Sequence, residues 1–289
     1  MNFAHRWTGW NGTVFPLTGG RVGAVQLSAR GVVGLGSMGS DSYVRQTPAL
    51  SGQRLTGFRE RARDVFWPLT INGSDNSWTV LQNQFWATMR PGKYGVWRVT
   101  APDGSYRELT CRYVPAPSTF TTDPAFLGIE LTSADLVADD PWWLGPQVLA
   151  EFAPVGDVLP FFATTSDRVF NLMSSSTVAS ATVANSGDVD AWPTYTITGP
   201  VSEFSATISG GVVSSVTDVV DGAVLVIDTD PTVQHAILTV DGVDEDVTRD
   251  LVEVDWRPVP AGWSVALDVT LIGTGSLVVT FSPRFYRAW

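Results

Sequence analysis

The chain has one cysteine in 289 residues, Cys111, so an intrachain disulfide framework is excluded and stability must come from burial or association. It has two histidines, His5 and His235, far apart in sequence. Neither has a Cys, Asp or Glu at zinc-ligand spacing, which argues against a zinc centre. Lysine is almost absent, Lys93 being the single one, so arginine supplies the rest of the positive charge. Arginine suits bidentate pairing and interface contacts, which makes Arg54, Arg59, Arg61 and Arg63 a candidate assembly interface, with a solvated strand face as the competing reading. No apolar run reaches the roughly 18 to 20 residues that span a bilayer, so no membrane insertion is expected. The first residues lack a charged region followed by an apolar one, so secretion is not indicated and synthesis in the cytoplasm is expected.

Basic residues are also scarce, 18 against 29 acidic ones, for a formal charge of −11. Such a balance disfavours nonspecific nucleic-acid binding, because phosphate contacts need a positive surface that releases counterions. The charge is unevenly placed. Residues 1–150 hold 13 Lys/Arg against 11 Asp/Glu, whereas 151–289 hold 5 against 18. The change of character falls near the segment ADDPWWLG at 138–145 and implies two modules, 1–145 and 146–289. Trp142 and Trp143 read as an aromatic anchor at that boundary.

In the first module, residues 22–27 and 32–33 alternate like strands. Residues 34–52 are rich in Gly and Ser and too long for an ordinary connector, which predicts a protruding arm. Residues 55–71 alternate like a long strand or half of a hairpin. One helix is expected over 75–89, capped by Ser74 or Asp75, with Trp78, Leu81, Gln82, Phe85, Trp86 and Met89 on one stripe and Pro91-Gly92 as the stop. Residues 94–100 and 106–114 flank an Asp103-Gly104 turn in a hairpin pattern, and 119–132 again reads as strand. The second module has no convincing helix. Short β-branched segments at 177–184, 194–198, 204–208, 223–227, 236–240, 265–270 and 276–281, separated by Gly, Asn and Asp turns, predict an antiparallel β-sandwich of seven or more strands.

Chemistry-bearing motifs are weak. Gly34-Leu35-Gly36-Ser37-Met38-Gly39 matches a dinucleotide-binding fingerprint by letter, but no helix opens at its third glycine, so an arm is the better reading. Asp241 to Asp246, with Asp228 and Asp230, offers oxygens for calcium, although the spacing is not that of an EF-hand and a solvated acidic turn is the simpler reading. Cys111 reads as a buried small hydrophobe, and His235 as a sheet residue. Trp192, Trp256 and Trp263 are candidates for stacking on a sugar ring, against the alternative that they fill the sandwich core. No catalytic residues, cofactor-binding residues or metal ligands are assigned, and no cofactor is expected.

Several segments in order resemble the distal tail proteins of long, noncontractile-tailed phages, especially those infecting actinobacteria. They are RDVFWPLTI at 63–71, RVTAPDGSYR at 98–107, ADDPWW at 138–143, NSGD at 185–188, WPTYTITGP at 192–200, GAVLVIDT at 222–229, PAG at 260–262 and PRFYRAW at 283–289. The resemblance implies a mainly β protein: an N-terminal α+β belt domain with one helix and an extended arm, followed by a galectin-like antiparallel β-sandwich. It implies a structural, non-enzymatic subunit of the virion tail tip, in a ring that is usually a hexamer. That ring joins the tail tube protein to the baseplate hub, fibres or receptor-binding proteins, with a lumen through which DNA passes. The alternative is a cell-wall carbohydrate-binding module aiding host adsorption. Ring assembly needs a large self-associating surface, which the arm and the arginine-bearing strand can supply.

Overall fold

The structure is a computed structural model that describes all residues except 1–2, 20–22, 29, 49–50, 74–76, 117–123 and 154–175. It is mainly β and divides into two compact units, Met1–Gly145 with Phe285–Trp289, and Pro146–Arg284. The second unit is thus an excursion from the first, and the chain returns to unit 1 for its last residues. Nothing in the sequence pattern signalled that return.

Unit 1 contains β1 (Ala4–Thr8), β2 (Val14–Pro16), β3 (Ala24–Leu27), β4 (Ser40–Arg45), β5 (Arg54–Glu60) and β6 (Arg63–Asn72). These are followed by α1 (Ser77–Ala87), β7 (Tyr94–Thr100), β8 (Tyr106–Val114), α2 (Pro124–Leu127), β9 (Ile129–Ala138) and β10 (Trp143–Leu144). The main sheet runs β2-β1-β7-β8-β9-β6-β3 with β10 paired to β8. A backbone bond from Leu27 N to Leu17 O, 2.9 Å, draws its two outer edges together. Strand β6 alternates strictly buried and half-exposed, as expected where one face packs on a core.

That core is built on indoles. Trp7, Trp67, Trp97 and Trp143 are all buried and form a chain of edge-to-face contacts with centroid spacings of 5.3, 5.1 and 5.0 Å. Such pairs add about 0.5–1.5 kcal/mol each beyond the area they bury. Helix α1 closes the core with Trp78 and Phe85, and Trp7 Nε1 donates to Thr88 Oγ1 just past the helix end (2.9 Å). The helix is shorter than the 75–89 expected, because Thr88 and Met89 already bond in the tighter three-residue pattern to Phe85 and Trp86. The proposed cap at Ser74 or Asp75 lies outside the described residues.

Two other expectations change. Of the strand expected over 119–132, residues 119–123 lie outside the described residues, the one-turn α2 follows, started by Pro124 and ended by Gly128 at φ 65°, and the strand runs from Ile129. The segment 55–71, expected as a long strand or half of a hairpin, divides after Glu60: β5 is half of a hairpin with β4, a separate two-stranded sheet, while β6 enters the main one. The hairpin β7–β8 is as expected, with Gly104 at φ 89° and Asp103 Oδ1 accepting from Ser105 N and Oγ at 2.9 and 2.6 Å.

Unit 2 is an antiparallel sandwich. Its strands are β11 (Val148–Phe152), β12 (Ser176–Ala184), β13 (Thr194–Thr198), β14 (Val201–Ile208), β15 (Gly211–Ser215) and β16 (Val224–Asp228). They continue as β17 (His235–Val240), β18 (Val243–Asp246), β19 (Leu251–Val254), β20 (Ser264–Gly273) and β21 (Ser276–Phe281). One sheet runs β11-β21-β13-β16-β17-β18 and the other β12-β20-β14-β15-β19. The inner residues of both, among them Tyr195, Ile197, Phe204, Leu225, Leu267 and Leu277, make one hydrophobic core. The chain then passes through β22 (Arg284–Phe285), which pairs with β10. The acidic run at 243–246 proves to be the edge strand β18, fully exposed and paired to β17 through the Asp241-Gly242 turn, whose φ values are 51° and 78°. Three carboxylates on an outer strand discourage further pairing there.

Candidate functional site

The most unusual part of unit 1 is the β4–β5 hairpin. It pairs from Ser40↔Glu60 to Arg45↔Arg54 with an irregularity at Tyr43/Val44, and among the described residues it has no third strand. A two-stranded sheet has almost no core of its own. Here the large apolar side chains are left in water: Tyr43 is 53% exposed, Leu55 57% and Phe58 59%. Arg59 and Arg61 reach Asp41 at 3.1 and 3.5 Å, and such exposed ion pairs contribute little by themselves. The Gly-rich arm expected over 34–52 is therefore a hairpin whose second strand carries Arg54 and Arg59, with Arg61 just beyond.

Arg63 behaves differently from the other three arginines. It is buried, and among the described residues its hydrogen-bond partners are backbone carbonyls. Nε donates to Pro141 O (2.7 Å), Nη1 to Gly34 O (2.9 Å) and to Gly36 O, and Nη2 to Tyr286 O (2.8 Å). Burial lowers its guanidinium to about 10, yet it stays charged at neutral pH. As an inside residue of unit 1 it is not an exposed interface arginine like Arg54 and Arg59.

This geometry also settles the glycine run. The carbonyls of Gly34 and Gly36 face a cation, the reverse of a phosphate cradle, in which amides face an anion. Gly34 has φ 110°, and a Cβ there would stand 2.8 Å from Val65 Cγ2, so the position demands glycine.

The segment Phe285–Trp289 closes over the same place. Tyr286 Oη donates to Glu60 Oε1 (3.1 Å) and its ring meets Trp142 edge-on, while Ala288 N donates to Leu35 O (2.9 Å). Arg107 donates to Arg287 O and lies 3.5 Å over the Phe285 ring, and Trp289 stacks on Phe3 at 4.5 Å. Trp143 is buried in the core of unit 1 and donates Nε1 to Gly34 O. The boundary tryptophans thus find their partners within unit 1.

In unit 2 the three candidate stacking residues differ. Trp263 is 68% exposed on the turn after Pro260, Trp192 is half-buried, and Trp256 packs partly against the sandwich core. Buried Asn185 ties the segments that carry Trp192 and Trp263: its Nδ2 donates to Val189 O and Val259 O, and its N donates to Trp263 O.

Three aspartates at or near the acidic turn are engaged structurally. Asp230 accepts from Arg284 (2.5 Å) and Thr232, Asp244 from Thr239, and Asp246 from Thr248. Among the described residues no group of three or more His, Cys, Asp and Glu is arranged to hold a metal ion, and no helix is long and apolar enough to cross a membrane. His5 belongs to unit 1 and His235 to unit 2, where it pairs with Asp228 in the sheet. Cys111 is buried in β8, and burial pushes its thiol up, away from thiolate chemistry.

No family model and no curated protein matches this chain. Solved structures do. The SPP1 Dit protein, described as a paradigm of the hub adsorption apparatus in phages infecting Gram-positive hosts, aligns with a TM-score of 0.59 at 15% identity, covering 99% of this chain and 100% of its own. The chain has the fold of a phage Dit protein. A chain of the phage P2 baseplate in its activated conformation with Ca aligns at 0.57 and 10% identity over 97% of this chain and 98% of that one. The corresponding Sr form aligns at 0.53 and 10%, over 93% and 98%. The Dit fold accounts for both units, since the coverage extends over nearly the whole chain.

Proposed function

We propose that this chain is a non-catalytic structural subunit of a phage tail tip. In this reading unit 1 self-assembles into a ring, a hexamer in the expected form, that joins the tail tube to the baseplate hub, fibres or receptor-binding proteins and leaves a lumen for DNA. The observation that carries it is the full-length Dit fold together with an arm whose apolar residues Tyr43, Leu55 and Phe58 stand uncovered. A hairpin of that kind gains further stability when a second surface covers it, and a head-to-tail contact between copies closes into a ring when its rotation allows. Arg54, Arg59 and Arg61 serve there as the polar rim. Virion tail localisation and partnership with tube and hub proteins belong to the same proposal, with synthesis in the host cytoplasm.

Light scattering of the purified chain over a concentration series tests it. A mass that is an integral multiple of the monomer and falls to the monomer when Tyr43, Leu55 and Phe58 are replaced by serine supports the reading. A monomer throughout that also binds neither tube nor hub protein of the same virion removes it.

A second reading, glycan binding by unit 2 during host adsorption, rests on the exposure of Trp263 and the partial exposure of Trp192. Exposed indoles are apt platforms for sugar rings. Loss of cell-wall binding in Trp263→Ala supports it, and a wild-type chain that binds no glycan on an array excludes it.

A further inference from the structure

We propose that the segment Phe285–Trp289 is a latch on the arm, and that Arg63 is the positioning residue through which the latch acts. The arm leaves unit 1 through residues 34–39 and returns through Glu60 to Arg63. The latch grips both sides of that root. Ala288 N bonds Leu35 O on the outgoing side, and Tyr286 Oη bonds Glu60 on the returning side. Arg63 joins the two, because one guanidinium holds Gly34, Gly36, Pro141 and Tyr286 together.

The arrangement has two discrete states rather than a continuum. A buried guanidinium is tolerated only while its donors are satisfied, and here carbonyls alone satisfy it. When the latch departs, Nη2 loses Tyr286 O, and the cheapest remedy is for the side chain to swing to water. That movement releases Gly34, Gly36 and Pro141 in the same step, and with them both sides of the root. Pro141 and Tyr286 bracket unit 2 in the chain, so the segments that lead out to unit 2 and back from it end on the same arginine. A pull on either connection therefore reaches the arm without any contact along the hairpin. The inference stands apart from the ring reading, since it concerns contacts within one unit of one chain.

Hydrogen exchange of the full chain tests it, at the lowest workable concentration so that contacts between copies do not contribute. The probes are β4 and β5, with β13 and β16 of the sandwich as the control. Truncation after Arg284 and the Arg63→Met substitution are expected to speed exchange in β4 and β5 about tenfold or more, the loss of a charge-assisted hydrogen bond, while the sandwich stays unchanged. Arg63→Lys is expected to fall between wild type and Arg63→Met, because an ammonium cannot span four carbonyls in the guanidinium's plane. Tyr286→Phe keeps the ring against Trp142 and removes the bond to Glu60, so it remains informative if the larger changes unfold unit 1. It is expected to speed exchange at the Glu60 end of β5 roughly fivefold. An arm that already exchanges at the rate of an unstructured chain in wild type overturns the proposal. So does an arm whose rates are the same in wild type and Tyr286→Phe. Failure of the chain to oligomerise leaves it untouched.

Discussion

Trp143 Nε1 donates to the carbonyl of Gly34 at 3.1 Å, and Arg63 Nη1 uses the same oxygen at 2.9 Å. One carbonyl thereby links the tryptophan core of unit 1 to the base of its arm, and two substitutions follow. Gly34→Ala forces a side chain into φ 110° and against Val65, and it is expected to lower the stability of unit 1 by about 1–3 kcal/mol. Trp143→Ala removes a fully buried indole and is expected to cost about 3–5 kcal/mol. Urea unfolding followed by tryptophan fluorescence measures both, and midpoints equal to wild type would refute the link.

His5 supplies a pH dependence. Its ring stacks on Trp97 at 5.7 Å, Nδ1 is buried without a partner among the described residues, and burial lowers its pKa below the ordinary 6.5. The unfolded chain then takes up the proton first, so stability is full above the ordinary value and is lost as the pH falls below it. The melting temperature is expected to drop between pH 7 and pH 5 in wild type and to drop less in His5→Gln. Parallel pH profiles for the two would show that His5 does not contribute.

Glu130 gives the opposite sign. It is buried opposite Ile71, Oε2 has no partner among the described residues, and burial raises its pKa above 4.5. The folded chain holds the proton more tightly, so wild type loses stability as the pH rises through the carboxyl range. Glu130→Gln is expected to melt higher than wild type at pH 7, with the advantage shrinking toward pH 4. Calorimetry at the two pH values decides it, and a lower melting temperature for the variant at pH 7 would mean that the hydrogen bond from Thr132 to the carboxylate outweighs its burial.

The arm predicts a separation of stability from assembly. Replacing Tyr43 and Phe58 by serine removes two exposed apolar side chains that no core depends on. The monomer is expected to unfold within about 0.5 kcal/mol of wild type, the usual range for surface changes, while self-association is lost. A large fall in stability would show instead that these residues pack within their own chain.

Much of the fold is legible in the residues because burial imposes a period on them. Strands β13 and β21 coincide with the expected segments, since in each one face packs on the core and the other does not, which makes the residues alternate. Strand β18 carries Asp244, Glu245 and Asp246 and is held by backbone pairing and by hydrogen bonds from Thr239 and Thr248 at the surface, so its side chains record no core and its sequence reads as a turn. The same cause hid Arg63. In the sequence it stands with Arg54, Arg59 and Arg61 as one basic cluster, and only the long-range meeting with Gly34, Pro141 and Tyr286 separates it from them. Local spacing carries no trace of a contact between residues 63 and 286. The boundary at 138–145 was visible through its charge step, whereas the return of Phe285–Trp289 to unit 1 rests on contacts that no composition reports.

Electron microscopy of the purified full chain tests the central claim most directly. A self-assembling tail-tip subunit predicts closed rings with a central hole wide enough for duplex DNA, absent when Tyr43, Leu55 and Phe58 are all serine. Single, unassociated particles at the highest soluble concentration, with and without the tube and hub proteins of the same virion, would contradict it.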